Sequence, residues 1–389
     1  MKGNVMTGLP PLSLLERKPF LQEASPVDLD AACHQIEVVL TELGISARIV
    51  SAVSGPVVAW YELELAEGVE PVKVTIHARD FAKALSAVAF RVVEHAVGLR
   101  RLAFEVPNAV RERIYLSDVL TVEGVDDKGK VLPVALGKDM AGNPVVVDLT
   151  QMSHLLVGSS SGSENIGFLH AVILSLLCSK TAGQIRLLLM DVNGQGFSAY
   201  QGIPHLQMPV ITGISDNVLA LAWAIQEMKR RRQLFESAGV ADFDEYHQQV
   251  AEGESNVESL PRIVMVINEY PNLFSTGRDA EMMMTRLALG GHTAGIHLAL
   301  ATGRVSLDTV TDLIKLHIPS RIVFKVGSMT DSRRMVGQHG AEALLGQGDM
   351  LYLSNGGETV QRIHGISVSD AEVSRVTAYL SQQERMADL

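Results

Sequence analysis

The stretch that decides the fold is residues 154–167, with the sequence HLLVGSSSGSENIG. Residues 154–157 have the apolar pattern of a strand, and residues 158–163 are small and flexible. An apolar helical pattern covers residues 165–179. Strand, small loop and helix in this order form the setting in which backbone N–H groups wrap a chain of phosphates. An ordinary turn rich in glycine and serine has the same order, and no frame here satisfies G-x-x-x-x-G-K-S/T. A phosphate-binding loop and a plain turn therefore both stay open.

Strand and helix patterns alternate on both sides of this stretch. We predict strands at 145–148, 154–157, 185–191, 263–267, 296–302 and 318–326, and helices at 165–179, 216–238, 279–289 and 308–316. Alternation of this kind predicts an α/β fold with a mostly parallel sheet covered by helices on both faces. In such sheets ligands bind beyond the carboxyl ends of the strands.

A smaller α+β domain is predicted ahead of this sheet. Its predicted elements are a helix from residue 26 to Gly44, strands at 46–53 and 57–65 around a 54–56 turn, a helix at 80–89, and strands at 92–97 and 102–106. We therefore expect a flexible arm over residues 1–25, the small domain over 26–120 and the larger domain over 121–389. Residues 248–260 are polar, and we expect a surface insertion there.

Composition limits the class of protein more than its partners. Of the 389 residues, 47% are hydrophobic and 5% aromatic, which suits a core of aliphatic layers. Two cysteines cannot form a disulfide framework, so we expect a reducing, cytoplasmic location. The longest apolar run, 168–178, has about half the ~20 residues that span a bilayer, and we expect no membrane segment. The net charge of −11 neither indicates nor excludes binding to nucleic acid.

Many short strings in this chain resemble the motor region of the FtsK/SpoIIIE family of ring-shaped double-stranded DNA pumps. They include SGPV at 54–57, RVVE at 91–94, GKD at 137–139, HLLV at 154–157, YQGIPHL at 200–206, AGIHL at 294–298, DSR at 331–333, GAE at 340–342 and GDML at 348–351. The resemblance runs from about residue 10 to about residue 380. It implies a RecA-like P-loop NTPase core behind a smaller α+β domain. It also implies a ring that grips the DNA backbone. The family's membrane block and winged-helix module are expected to be missing.

The resemblance also identifies which residues form the nucleotide loop, and the expected chemistry is missing from them. The loop residues are Ser159, Ser160, Ser161, Gly162, Ser163, Glu164, Asn165 and Ile166. The family's first glycine falls on Ser159, the glycine before its lysine on Glu164, the lysine on Asn165 and the magnesium-binding hydroxyl on Ile166. A neutral amide cannot neutralise phosphates, and a hydrocarbon offers no oxygen to a hard ion.

Glu164 is expected to place a carboxylate where a triphosphate would lie. Two like charges ~4 Å apart cost about 4 kcal/mol at an effective dielectric near 20. This energy corresponds to a loss of affinity on the order of a thousandfold. We therefore expect weak or absent binding of ATP.

The second half of the nucleotide site also departs from the family. The strand at 263–267 leads to Asn268, where the family has the acid of the magnesium shell, and to Glu269, where it has the acid that orients water. We expect Glu269 to be a vestigial, solvated strand-end carboxylate. The family's basic residue falls on His292, which we expect to be an ordinary loop histidine, and its glutamine sensor falls on Gly303. Arg304 remains as a possible charge stabiliser.

Basic residues that could contact a DNA backbone follow the last predicted strands. The candidates are Arg321, Lys325, Arg333 and Arg334, and a solvated surface and a DNA contact are equally supported for them. A second basic run at 229–232 is better explained as a solvated helix face paired with Glu227.

We therefore predict a pseudo-ATPase of the translocase fold that binds double-stranded DNA and forms a homo-oligomeric ring. No cofactor is expected. One alternative is an active translocase with an unconventional site, which would use ATP and Mg²⁺. The other is a protein–protein adaptor or inhibitor that joins a mixed ring with an active relative.

Overall fold

The computed structural model describes residues 8–18, 28–87, 90–94, 101–120, 129–192, 194, 196–252, 258–306, 309–357 and 359–387. They fall into two compact units. The small unit comprises Lys18–Ile114 and Gly137–Val145, and the large unit comprises Met1–Arg17, Tyr115–Leu136 and Val146–Leu389. The division after Ile114 precedes the expected boundary at residue 120.

The small unit is a four-stranded antiparallel sheet, in the described residues, with helices packed against it. Its elements are α1 (Leu29–Glu42), β1 (Ala47–Ser54), β2 (Val58–Leu65), α2 (Pro71–Thr75), α3 (Ala78–Ala84), β3 (Arg91–Glu94) and β4 (Arg101–Pro107), with strand order β1-β2-β4-β3. The predicted first helix and hairpin are present. Helix α2 was not predicted, and α3 ends earlier than expected. Residues 88–89 and 95–97, where a helix end and a strand end were predicted, lie outside the described residues.

The large unit is built around a long sheet. In chain order its elements are α4 (Leu116–Leu120), β5 (Pro133–Asp139), β6 (Pro144–Asp148), α5 (Leu149–Met152), β7 (Leu155–Gly158), α6 (Gly162–Ser179), β8 (Ile185–Asp191), α7 (Ile214–Ala238), α8 (Phe243–Ala251), β9 (Arg262–Asn268), α9 (Arg278–Gly290), β10 (Ile296–Thr302), α10 (Asp312–His317), β11 (Ser320–Val323), α11 (Met329–Val336), β12 (Asp349–Leu353), β13 (Val360–Gly365) and α12 (Asp370–Ala387). Helix α4 packs against α6, which is why the division between units precedes it. Helix α8 includes the first residues of the surface insertion expected at 248–260, and residues 253–257 lie outside the described residues.

The sheet is mixed rather than mostly parallel. Among the described residues its strand order is β6-β5-β13-β12-β11-β7-β10-β9-β8. The pairs β11–β7, β7–β10, β10–β9 and β9–β8 are parallel, whereas β12 pairs antiparallel with both β11 and β13. Strands β9 and β10 are buried at every position, so the sequence shows them as continuous aliphatic runs. The carboxyl ends of the five parallel strands therefore meet at one edge.

Residues 8–17 do not form a flexible arm, which corrects that part of the arm expected over 1–25, and residues 1–7 and 19–25 lie outside the described residues. A short 3-10 helix at Leu12–Leu14 leads to a buried leucine, and Glu16 N donates to Glu372 Oε1 at 2.8 Å. Arg375 Nε donates to Leu14 O at 2.7 Å. Contacts with α12 thus hold this segment in place, and the local sequence of residues 8–17 does not reveal them.

Helix α6 has the length and the apolar composition of a membrane-spanning helix, and it is the one such helix among the described residues. Most of its side chains are buried against the sheet of the large unit. A core helix of this kind has the same composition because it is apolar on nearly all sides.

The turn before β10 provides a test of packing. Gly295 has φ +71°, and a Cβ there would lie 2.3 Å from the Phe243 ring. We expect Gly295→Ala to lower the free energy of unfolding by about 2–4 kcal/mol, from left-handed strain plus overpacking. Gly202→Ala is the matched control, because Gly202 has φ +87° and nothing within 4 Å of its Cβ position. Gly202→Ala should lower the free energy of unfolding by only about 1 kcal/mol. Equal losses in urea unfolding followed by circular dichroism would contradict the role of Phe243.

Candidate functional site

The connection between β7 and α6 is shorter than the expected eight-residue loop. Strand β7 ends at Gly158 and α6 begins at Gly162, so residues 159–161 alone connect them. Residues 162–166 form the first turns of α6. The residues expected to surround a phosphate chain are therefore mostly helical.

Backbone amides of the connection bond to acceptors within the protein. Ser159 N donates to Thr302 O at 3.1 Å, and Ser160 N donates to Lys325 O at 3.0 Å. Ser161 N donates to Ser159 Oγ at 3.1 Å. A phosphate chain could take the first two amides only by breaking bonds that hold the connection to the end of β10 and to the segment after β11, and the third only by breaking a bond within the connection.

The Glu164 carboxylate packs against a neighbouring turn, Gly346–Gly348, in which all three residues have positive φ. Its Oε1 is buried and lies 3.7 Å from the Cβ position of Gly346. Burial raises the pKa of Glu164, although the amides of Gly348 and Gln347 favour its charged form. The expected position over a triphosphate is therefore corrected: position 164 lies in the first turn of a helix, and its side chain extends sideways to this turn.

Asn165 and Ile166 present neither a cation nor an oxygen to solvent. Asn165 is fully buried, and neither its Nδ2 nor its Oδ1 has a hydrogen-bond partner in the part of the chain that the structure describes. Ile166 packs on the backbone of Gly196, where a Cβ would lie 2.2 Å from Ile166 Cδ1. The side chains at the two positions where the resemblance implies a lysine and a hydroxyl are thus used for packing.

Asp191, at the end of β8, is a site residue that sequence reasoning missed. It is fully buried and accepts from Asn268 Nδ2 at 3.1 Å and from Gly196 N at 2.6 Å. The amide of Asn268 donates to this carboxylate, which an ionised acid at position 268 could not do. The available signal was the position of Asp191 as an acid at the carboxyl end of a buried parallel strand.

Glu269 is buried, so the expectation of a solvated carboxylate is wrong. It has left-handed backbone angles, φ 53° and ψ 48°, and only 9% of the residue is exposed. Its Oε1 accepts from Gly303 N at 2.7 Å and lies 3.7 Å from the Cβ position of Gly162. The carboxylate therefore lies beside the first residue of α6, where the positive end of the helix dipole favours negative charge.

Of the two other sequence candidates, Arg304 reaches this edge and His292 does not. Arg304 is exposed, donates through its guanidinium to Asn272 Oδ1, and follows Gly303 at the carboxyl end of β10. His292 lies before the amino end of β10, with its ring 5.8 Å from that of His154. Burial, followed by the charge of Arg232, lowers the pKa of His292, which agrees with a neutral loop histidine.

The basic candidates for DNA contact separate into two groups. Arg321 donates to the carbonyls of Ile318, Met335 and Lys315, at 3.3, 3.0 and 2.7 Å. This structural role removes Arg321 from the DNA candidates.

The other three candidates differ in exposure. Arg334 pairs with Asp331 at 3.2 Å, whereas Lys325 and Arg333 are exposed. In the basic run at 229–232, Arg230 and Arg231 both bond Glu227 at 2.8 Å, as expected. Arg231 itself is buried rather than solvated.

The residues at this edge do not fit Mg²⁺-ATP. A triphosphate needs a cation, free amides and an oxygen that completes the magnesium shell. Here the corresponding groups are the buried Asn165 side chain, the internally bonded backbone amides of residues 159–161 and a packed isoleucine. Within the described ranges, no group of three or more His, Cys, Asp or Glu side chains is arranged to hold a metal ion.

Comparison with known proteins agrees with this architecture. Residues 115–307 match the model of the FtsK/SpoIIIE family, and residues 9–108 match that of the FtsK alpha domain. The chain is 40% identical over 394 residues to DNA translocase FtsK 2 of Ralstonia nicotianae, covering 96% of this chain and 50% of that protein. It is 37% identical over 390 residues to DNA translocase FtsK of Pseudomonas aeruginosa, covering 95% of this chain and 48% of that protein. The chain therefore spans about half the length of the curated relatives it matches.

Two solved structures show the same fold at low identity. The cytoplasmic domain of the Thermomonospora curvata type VII secretion ATPase EccC gives a TM-score of 0.61 at 21% identity, covering 68% of this chain and 34% of that one. The pCW3 conjugation coupling protein TcpA gives a TM-score of 0.58 at 16% identity, covering 89% of this chain and 99% of that one. The expected RecA-like P-loop NTPase core with a smaller preceding domain is confirmed.

The environment of Glu164 predicts a pH dependence of stability. Since folding raises its pKa above the ordinary 4.5, its contribution to stability is fully present below that value. The contribution is lost as the pH rises through the raised, folded-state value. Relative to Glu164→Gln, we therefore expect the unmodified protein to lose stability as the pH rises above 4.5. Urea unfolding from about pH 4 to about pH 8 measures this difference.

Glu342 supplies the control of opposite sign. Burial would raise its pKa, but a hydrogen bond from Gly340 N, at 2.9 Å, contributes to holding that pKa below 4.5. Relative to Glu342→Gln, the unmodified protein should gain stability as the pH rises toward 4.5, so this control requires the urea series to be extended below about pH 4. The same slope for both variants would show that the Glu164 environment is not the cause.

Proposed function

Because this chain belongs to the FtsK/SpoIIIE family, we propose that it is a DNA-translocase module that binds double-stranded DNA and forms rings but does not bind or hydrolyse ATP in the usual way. One observation carries the proposal: the amides of Ser159, Ser160 and Ser161 bond to acceptors inside the protein. The side chains at 164–166 are at the same time directed into packing. The relatives described above are DNA translocases, which supports DNA as the substrate class.

Energetics favour this internally bonded arrangement over a nucleotide complex. Each hydrogen bond that a phosphate would replace contributes about 1 kcal/mol to stability. The Glu269 carboxylate lies beside the first residue of α6, where a triphosphate would add further negative charge, and Glu164 is an acid of the same first turn although its carboxylate extends sideways. The dipole of α6 is thus already balanced by the protein's own anions.

One observation supports the alternative of an active, unconventional translocase. Lys325 is exposed, its carbonyl accepts from Ser160 N and Oγ, and its charge favours the ionised form of Glu164. It is the cation best placed to act in place of the missing lysine. Under this alternative ATP and Mg²⁺ are the cofactors, and Glu269 and Arg304 supply the remaining charges.

The ring partner is either further copies of this chain or an active relative in a mixed ring. In a mixed ring this chain would act as an adaptor or inhibitor, because a subunit with no usable nucleotide site leaves one position without turnover. Size-exclusion chromatography with and without an active relative distinguishes the two assemblies.

The nucleotide proposal predicts that restoring three side chains creates binding. We expect Glu164→Gly/Asn165→Lys/Ile166→Ser to bind Mg²⁺-ATPγS about a hundredfold or more tighter than the unmodified chain, by isothermal titration calorimetry, because the carboxylate at 164 is removed and a cation is added at 165. The matched control, Glu164→Gly/Ser163→Lys/Ile166→Ser, carries the same charges with the lysine two positions earlier. It should show no comparable gain.

Two results would overturn the nucleotide proposal. One is tight Mg²⁺-dependent binding of ATPγS by the unmodified chain. The other is hydrolysis of ATP by the unmodified chain that increases when duplex DNA is added. If that hydrolysis were lost in Lys325→Gln, the unconventional site would be established instead.

The DNA proposal predicts a change in salt dependence. We expect Lys325→Gln/Arg333→Gln to weaken binding to plain duplex DNA and to reduce the slope of log K against log salt by about 1–2, since each lost phosphate contact removes about 0.9. Lys229→Gln, at another exposed cation, should leave the slope unchanged. The slopes are measured by fluorescence anisotropy, and unchanged slopes for both variants would place the DNA contact elsewhere. If the unmodified chain showed no salt-dependent binding of DNA, the adaptor would be favoured.

A further inference from the structure

The turn between β12 and β13 contains an Asn-Gly pair, at 355 and 356, that the nucleotide edge does not explain. Strand β12 ends at Leu353, which pairs with Arg321 near the start of β11. Because β12 runs antiparallel to β11, the turn lies beyond the amino ends of the parallel strands, at the edge opposite residues 159–161. The pair is therefore independent of the proposed function.

Both residues of the pair are open to solvent. Asn355 and Gly356 are exposed, and a Cβ at Gly356 would meet nothing within 4 Å. Gly357 N donates to Ser354 O at 3.1 Å, which closes the turn around the pair. Gly356 has φ +69°, in the left-handed region that favours glycine. The turn thus selects a residue that has no side chain to cover its own backbone nitrogen.

The backbone nitrogen of Gly356 is available for chemistry. Among the described residues it has no hydrogen-bond partner, so water alone solvates it. The electrophile within reach along the chain is the side-chain amide carbon of the preceding residue, because attack on that carbon closes a five-membered ring. Glycine hinders this approach less than any other residue because it has no Cβ.

The side chain of Asn355 is weakly held. Its Nδ2 donates to Gln151 O at 3.3 Å, which is longer than the usual range of an N–H···O bond. This is the one hydrogen bond that the side chain makes to the described part of the chain. The amide carbon can therefore rotate toward the nitrogen of Gly356 at little cost.

A second Asn-Gly pair in this chain has a different backbone environment. It occupies positions 193 and 194, and position 193 lies outside the described residues. Gly194 N donates to Asp191 O at 2.9 Å. A nitrogen in such a bond must first be released, at a cost of about 1 kcal/mol, which slows its attack about fivefold. The two pairs have the same local chemistry and differ in this hydrogen bond.

We propose that Asn355 is a site of spontaneous deamidation. The nitrogen of Gly356 attacks the side-chain amide carbon of Asn355 and loses its proton, and the bond from that carbon to the side-chain nitrogen breaks. The side-chain nitrogen takes up the proton and leaves as ammonia. Water then opens the cyclic imide at either of its carbonyls and gives aspartate or isoaspartate. The reaction consumes water, releases ammonia and needs no oxidant, cofactor or second protein.

The modification changes the turn in charge and in bonding. An aspartate at 355 has no N–H to donate to Gln151 O and instead directs a carboxylate at that carbonyl. Isoaspartate in addition lengthens the backbone between β12 and β13. Either product makes the net charge more negative than −11. The folded chain therefore acquires negative charge at a fixed position as it ages.

The test incubates the whole folded chain at mildly alkaline pH and maps its peptides by mass spectrometry over time. We expect both aspartate and isoaspartate at 355, formed about fivefold or more faster than at 193. The rate should rise with pH, because the attacking nitrogen must lose its proton. Asn143 is the internal control: it is exposed, but Pro144 follows it and offers no N–H, so no imide should form there.

Two further measurements separate the turn from the local sequence. Gly356→Ala adds a Cβ beside the attacking nitrogen, and it should slow the reaction at 355 severalfold while the rate at 193 stays the same. In urea concentrated enough to unfold the chain, the hydrogen bond of Gly194 is lost. The two Asn-Gly pairs should then react at similar rates.

Three outcomes would overturn the proposal. The first is no more product at 355 than at 143. The second is aspartate without isoaspartate at 355, because direct hydrolysis bypasses the ring. The third is equal rates at 355 and 193 in the folded chain, because the hydrogen bond of Gly194 would then not protect its pair. None of these outcomes bears on nucleotide or DNA binding.

Discussion

The central constraint on the large unit is the parallel pairing of β7 with β10 on one side and β11 on the other. Strand β7 is only four residues long and is buried throughout, so each of its backbone groups depends on these neighbours. The pairing brings Gly158, Thr302 and Val323 into one row at the carboxyl edge. The connection to α6 leaves from that row, and its amides bond to Thr302 and Lys325, which belong to the flanking chain segments.

A buried ion pair next to this edge explains the position of Glu164. Asp349 accepts from Arg362 Nε at 2.9 Å and from Leu345 N at 2.8 Å, and both charged partners are buried. Burial alone would raise the pKa of Asp349, but the hydrogen bonds and charge of Arg362 hold it well below its usual range. Removing either partner would leave a buried charge uncompensated. The pair therefore holds the Gly346–Gly348 turn in place, and that turn receives the Glu164 carboxylate.

The fold and the chemistry of the nucleotide edge are separable in this protein. Asn165 and Ile166 stand where the family resemblance implies a lysine and a hydroxyl, and the aliphatic strands that create the edge are buried all the same. Asn268 even gains a use, because its amide donates to Asp191. A site can lose its catalytic groups without loss of the sheet because the sheet depends on apolar burial and backbone pairing.

Local sequence was sufficient wherever burial alone determined the structure. Strands β8 and β10 were predicted with the bounds they have, because a strand buried on both faces must be aliphatic along its length. The types of side chain at 164–166 and 268, and hence the absence of a lysine and a magnesium-binding hydroxyl, also follow from the sequence itself.

Only the tertiary structure decided where those side chains lie. The direction of Glu164, the burial of Glu269 and the use of Arg321 as a tie between carbonyls depend on partners from other segments. The same holds for Glu16, which is bonded to Glu372 at the far end of the chain. A sequence pattern reports the average environment of a residue along its own helix or strand. Contacts between segments distant in the chain are set by packing and hydrogen-bond geometry, which no local periodicity encodes.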